Sequence, residues 1–211
     1  MSGILCSFVG ATYASLPAYG ESYEGGFFAG QISDGGTVYN LVVAPLATGQ
    51  SSEQYRTSNG SSTGAESLTD GPANTTWLNS PGDGVARPAA EFCAALTIGG
   101  YSDWYMPAKH ELEICYRNLK PTTDSNTGIN SSGVNPASIP AGTQYTSGNP
   151  AQTSATDFQS GNTEAFSASL YHSSSATSVY DWSQRFNNGE QRLNNGVDET
   201  QPVRAIRRVA A

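Results

Sequence analysis

"GGYSDWYMPAKHELEICYRNL", Gly99 to Leu119, is the stretch on which the fold turns. Its two glycines end any helix that precedes them. An aromatic-rich run, Tyr101 to Met106, follows. Pro107 then opens a helix, since a proline in the first turn lacks only an N–H that has no intrahelical partner. Leu112, Cys115, Tyr116 and Leu119 recur at helical spacing and make one apolar stripe. Pro121 stops it. Before Gly99, "RPAAEFCAALTI" carries an earlier helix from Pro88, with Ala89, Phe92, Cys93 and Leu96 on one side. Two helices joined by a short aromatic link therefore occupy the middle of the chain.

Strands flank this pair. Residues 24–46 contain "GFFAGQI" and "VYNLVVAP" around "SDGG", the signature of a hairpin. "LVVA" is continuously apolar, which predicts a strand buried on both faces. Residues 48–84 are polar and rich in Gly and Ser and read as loop with short turns. Residues 121–164 carry almost no charge. A run of that length without elements is uncommon in a compact domain. It reads either as an ordered surface excursion or as an insertion at a binding face. From Phe166 three strands follow, "FSASLYHSSS", "YDWSQRFNNG" and "VRAIRRV". In the second, a period of two puts Trp182, Gln184 and Phe186 on one face and Ser183, Arg185 and Asn187 on the other. Hairpin, helices, long loop and terminal strands make an α+β chain.

Composition limits the function classes. The chain has 211 residues, and only 13% are charged, against about 25% in ordinary domains. Ser, Thr, Asn and Gly fill the gap, as in extracellular and virion proteins. Net charge is −8, and nucleic-acid binding is excluded for want of a basic footprint. Arg204, Arg207 and Arg208 form the one basic run, read as a solvated or core-flanking strand end in preference to a phosphate site. No segment reaches the ~20 apolar residues of a membrane span, so no membrane insertion is expected. "MSGILCSFVGA" lacks the cationic start of a signal peptide. Residues 1–23 are taken as an N-terminal strand or attachment segment and residues 24–211 as the domain. Cys6, Cys93 and Cys115 match neither a disulfide framework nor a zinc motif, so buried free thiols are expected ahead of a Cys93–Cys115 bridge.

Three features taken in order resemble the C-type-lectin-like domain of phage tail-fibre proteins and collagen-like bacterial adhesins. They are "GGFFAG…YNLVVAP", the "AAEFCAAL…GGYSDWYMPAKHELEICY" helix pair, and the closing set "YHSSS", Trp182, Phe186, Gly189 and "VRAIRRV". The resemblance covers about residues 24–209. His172 departs from it, because the family usually has Trp before the Ser run. The resemblance implies a compact C-type-lectin-like fold, with two helices against small antiparallel sheets and long loop insertions. It implies binding of a host cell-surface glycan or protein, in a virion tail or at a cell surface. The same fold houses variable proteins of diversity-generating retroelements, whose C-terminal codons are mutated at adenines.

On that reading the ligand-binding face holds His172, Ser174, Asp181, Ser183, Arg185, Asn187, Asn188, Arg192, Leu193 and Asn194. All are reachable from Asn-type codons by adenine mutation. Gln184, Glu190, Gln191 and Trp182 are not, and would be scaffold. The plainer alternative is a polar hairpin, since "NNG" occurs twice and Asn-Gly is a strong turn signal. No metal or cofactor is expected. The lectin calcium motifs are missing, and Asp70, Asn74, Asn79 and Asp83 read as a solvated loop. No enzyme is expected either. His110 and His172 are the only histidines, and no nucleophile-elbow motif accompanies Ser175 or Cys115. His110 reads as a surface histidine or one in a helix's first turn. The alternative function is a structural virion accessory, such as a capsid decoration protein. Other virion proteins are then partners, and a homo-oligomer is open under either reading.

Overall fold

A computed structural model describes residues 15–194, 197 and 199–211. In chain order the elements are β1 (Ser22–Tyr23), β2 (Gly26–Asp34), β3 (Thr37–Val43), α1 (Leu46–Gly49), β4 (Gln50–Gln54), α2 (Gly71–Leu78), α3 (Pro88–Ala94), α4 (Lys109–Leu119), β5 (Ser138–Ile139), β6 (Leu170–Ala176), β7 (Asp181–Arg185), β8 (Gln191–Asn194), β9 (Thr200–Arg204) and β10 (Ile206–Ala210). The chain is α+β. Its strands form three antiparallel groups: β1-β2-β3-β10 with β5 added to β2, the pair β4-β9, and β6-β7-β8. Residues 1–14, most of the segment taken from sequence as an N-terminal strand or attachment, with Cys6, lie outside the described residues.

Strand β3 separates two cores. Leu41 and Val43 join the α4 core with Ile32, Leu112, Cys115, Tyr116, Phe166, Tyr171 and Phe186. Val42 and Ala44 join the other core with Tyr55, Leu78, Ala89, Cys93, Trp104 and Val203. Burial on both faces is what the unbroken "LVVA" run requires. Helix α4 lies on β2 at a bulge between Phe28 and Gly30. Gly30 has φ +135°, and a Cβ there would come within 2.8 Å of Ile114 Cγ2 and 2.6 Å of Asn118 Nδ2. Asn118 Nδ2 also donates to Ala29 O at 2.7 Å, so the helix seats on the bulge itself.

Two regions read as loop are structured. "GPANTTWL" is the helix α2, within the segment expected to be loop. Asp70 caps it by accepting from Ala73 N–H, and Thr75 Oγ1 bonds Met106 N–H and O across the core. The sequence "QSSEQ" is β4, paired along its length with β9. Residues 121–164 form an ordered excursion pinned by buried polar side chains. Asn126 Nδ2 donates to Pro150 O, and Asn135 Nδ2 to His110 O and Glu113 Oε2. Side-chain amides thus supply partners that secondary structure would otherwise give the backbone.

The buried arginines of the C-terminal strands are paired. Arg204 meets Glu164, Arg207 meets Asp103, and Arg208 meets Asp34 and Glu111, which places the basic run at a core-flanking strand end. Glu111 also accepts from Ala108 N–H at 2.8 Å and so finishes the start of α4. His110 sits in that first turn as expected but is buried, not at the surface. Burial, then the Lys109 charge, push its imidazole down to about 4. Cys93 and Cys115 are buried free thiols, and burial raises both.

Candidate ligand-binding site

The β6-β7-β8 group carries every residue named for the ligand face except Asn187 and Asn188, which sit in the β7–β8 connection. Its register sets the rows. His172 faces Ser183, which faces Arg192; Asp181 faces Asn194; Trp182 faces Leu193; Gln184 faces Gln191. Burial along β7 does not alternate as the sequence reading expects. His172, Ser174, Asp181 and Ser183, expected at the surface, are all buried. Trp182, expected in the core beside Phe186, is half-buried, with Lys109 Nζ 4.1 Å above its ring. Phe186 alone fills the core role, stacked on Phe166 at 4.2 Å and edge-on to Tyr116 at 5.5 Å.

The reason is that this group has neighbours on both faces. One face meets α4. The other meets β9 and the segment after β4, where the Tyr55 ring lies 5.8 Å from His172. The serines of β6 find partners inside. Ser173 Oγ donates to Trp182 O, and Ser175 Oγ donates to Ser67 O and accepts from Lys109 N–H. Asn74 Nδ2 reaches Ser174 Oγ at 3.4 Å. The serine run thus ties β6 to α2 and to the start of α4.

Arg185, Asn187, Asn188, Arg192 and Asn194 are half-buried, and Leu193 is exposed. Arg185 pairs with Glu190 at 3.5 Å. Asn188 Oδ1 accepts from Glu190 N–H, and Gly189 turns the chain at φ +73° with no room for a Cβ against Tyr116 and Tyr145. The first Asn pair therefore builds a turn, as the plainer alternative held. Gln184 and Gln191, assigned to the scaffold, are buried and bonded to one another.

The surface at this end is made by other residues. Val179 and Tyr180, in the β6–β7 turn, are 49% and 47% exposed, and Leu193 on β8 is 43% exposed. Arg56, Asn59, Gly60, Val179 and Tyr180 line an open cleft of about 320 Å³. Arg56 donates to Val179 O, and Ser62 N–H to Ser178 O, which fixes the turn against the 56–62 segment. Asn59 and Gly60 escaped the sequence reading because nothing local marks a loop that docks beside a turn 120 residues later.

Asp70, Asn74 and Asp83 are taken up by capping, by Ser67 and by Arg87. Among the described residues no three His, Cys, Asp or Glu side chains converge as metal ligands. No helix there is long and apolar enough to cross a membrane. No family model matches the chain, and searches of curated proteins and of solved structures return no match.

Proposed function

We propose that this chain is a binding module with a C-type-lectin-like fold, borne on a phage tail or another surface, whose target is a host cell-surface glycan or protein. The face is the end of the β6-β7-β8 group: Val179, Tyr180 and Leu193 at its centre, Arg56 and Asn59 in the cleft, Arg192 and Asn194 at the rim. One observation carries the reading. Three large apolar side chains, each more than two-fifths exposed, stand on one turn and one nearby strand, beside an open polar cleft. Exposed aromatic and apolar residues ringed by Arg and Asn make the composition of a recognition surface. The same residue types suit diversification, with Leu193, Arg192 and Asn194 the reachable positions at this end that also meet solvent. The test is binding of labelled protein to bacterial cells and to a glycan array, with Tyr180→Ala/Leu193→Ala as the variant. Undiminished binding by the folded variant refutes it.

A second reading, a structural virion accessory, draws on a different surface. Leu16, Tyr19 and Ile139 are exposed around an open cleft of about 360 Å³, close to where the described chain starts. Attachment to another virion protein or to a second copy would cover it. Protein that coats virions but leaves cells unstained favours this reading.

A further inference from the structure

The open cleft beside Tyr180 contains an Asn-Gly step, Asn59–Gly60, and the fold leaves that step chemically open. Thr57 N–H donates to Ala86 O at 3.1 Å and Ser62 N–H to Ser178 O at 3.0 Å, so the segment is held on both sides of the step. Between these anchors Asn59 is exposed. Neither its carboxamide nor the Gly60 N–H has a hydrogen-bond partner among the described residues. Position 60 is tight for any side chain, since a Cβ there would come within 2.8 Å of Asp83 Oδ2 and 3.0 Å of Val85 Cγ2. The peptide nitrogen that follows Asn59 is therefore a glycine's, with no Cβ to shield it.

A second Asn-Gly step, Asn188–Gly189, is closed. Gly189 N–H donates to Arg185 O at 2.9 Å, and Asn188 Oδ1 accepts from Glu190 N–H at 3.1 Å. Asn188 O also accepts from Thr127 N–H at 2.9 Å. The remaining step, Asn195–Gly196, lies outside the described residues.

This difference decides a reaction that needs no enzyme. The Gly60 N–H gives its proton to solvent base, and its nitrogen forms a bond to Asn59 Cγ. The Cγ–Nδ2 bond breaks, and ammonia leaves. Water then opens the five-membered cyclic imide at one of its two carbonyls, giving an aspartyl or an isoaspartyl linkage. The balance is one water consumed, one ammonia released, and a neutral amide turned into a carboxylate. At Asn188 the nucleophile itself is engaged, because the Gly189 nitrogen's proton is held by Arg185 O. That bond and the one at Asn188 Oδ1 must both break before the ring can close.

We propose that Asn59–Gly60 is a self-modifying site, at which the folded protein turns the Asn59 carboxamide into a carboxylate as it ages. The new charge arrives in the cleft that Arg56, Val179 and Tyr180 also line. The site rests on exposure and hydrogen bonding at the two steps and goes beyond the binding-face reading, on which it does not depend.

The test is peptide mapping by mass spectrometry of folded wild type kept in mildly alkaline buffer, which favours loss of the amide proton. An isoaspartyl-specific carboxyl methyltransferase gives a second readout. Conversion at Asn59 should run at least about tenfold faster than at Asn188, the factor set by the hydrogen bonds that close the second step. In urea, where both steps are unfolded, the ratio should fall toward one. Asn59→Gln, which would need a larger ring, should stay unconverted at that position. Equal rates at Asn59 and Asn188 in the folded protein overturn the proposal. So does an Asn59 that stays intact when folded but converts in urea, or a ratio that urea leaves unchanged. None of these readouts involves cell binding, so failure of the binding-face reading is scored separately by Tyr180→Ala/Leu193→Ala.

Discussion

Trp182 and Phe186 stand on the same face of one strand, yet they should differ sharply when cut to Ala. Phe186 is fully buried and meets three rings: Phe166 at 4.2 Å, Tyr171 at 4.7 Å and Tyr116 at 5.5 Å in a T. Replacing a buried Phe by Ala removes its transfer free energy and leaves a cavity, about 3–5 kcal/mol together. The ring pairs hold the site at the upper end, because aromatic contacts contribute about 0.5–1.5 kcal/mol beyond area. At about 2–4 °C per kcal/mol for a domain of this size, Phe186→Ala should lower Tm by roughly 10–20 °C. Trp182 is half-buried, with the Lys109 ammonium on its outer side. Part of its area already meets water, so Trp182→Ala should cost about 2 kcal/mol. Urea unfolding of both variants, followed by tyrosine fluorescence and far-UV circular dichroism, gives the comparison. Equal costs, or a larger cost at Trp182, would refute the inside-outside assignment of β7.

Two further predictions concern the buried charges. His110 has a folded pKa near 4 against an ordinary 6.5, so the unfolded chain binds the extra proton first. Its contribution is intact above pH 6.5 and is lost as pH falls from 6.5 to 4, by about 3 kcal/mol at most. His110→Gln should flatten that part of the stability profile; parallel profiles for variant and wild type contradict it. Arg204→Met strands Glu164 and takes a donor from Ala44 O, since Arg204 Nε donates there at 2.8 Å. It should cost about 3 kcal/mol, read as a lower urea midpoint with unchanged slope.

The elements with strong periodicity were legible. The β2–β3 hairpin, the doubly buried β3 and the stripe on α4 follow from where apolar residues recur. Helix α2 was hidden because "NTTW" has no apolar period and poor helix formers. Its local signal was Asp70 followed by Pro72, a cap and a first-turn proline. The candidate face was legible as an alternation but not as a direction. A period of two separates the faces of β7 and does not say which is covered. Here both are: Ser183 by the Tyr55 side, Gln184 by the α4 side. His172, Ser174 and Asp181 look like surface residues by type, and only tertiary hydrogen bonds make them interior. Asn59 and Gly60 gain their place from a turn far along the chain, which no local pattern encodes.

The most direct test of the binding face is the dissociation constant of wild type and of folded Tyr180→Ala/Leu193→Ala for cells or glycans that wild type retains. Loss of two central apolar contacts should weaken binding at least tenfold, about 1.4 kcal/mol, with Tm within a few degrees of wild type. Equal affinity of the two proteins would contradict the placement of the binding face at the end of the β6-β7-β8 group.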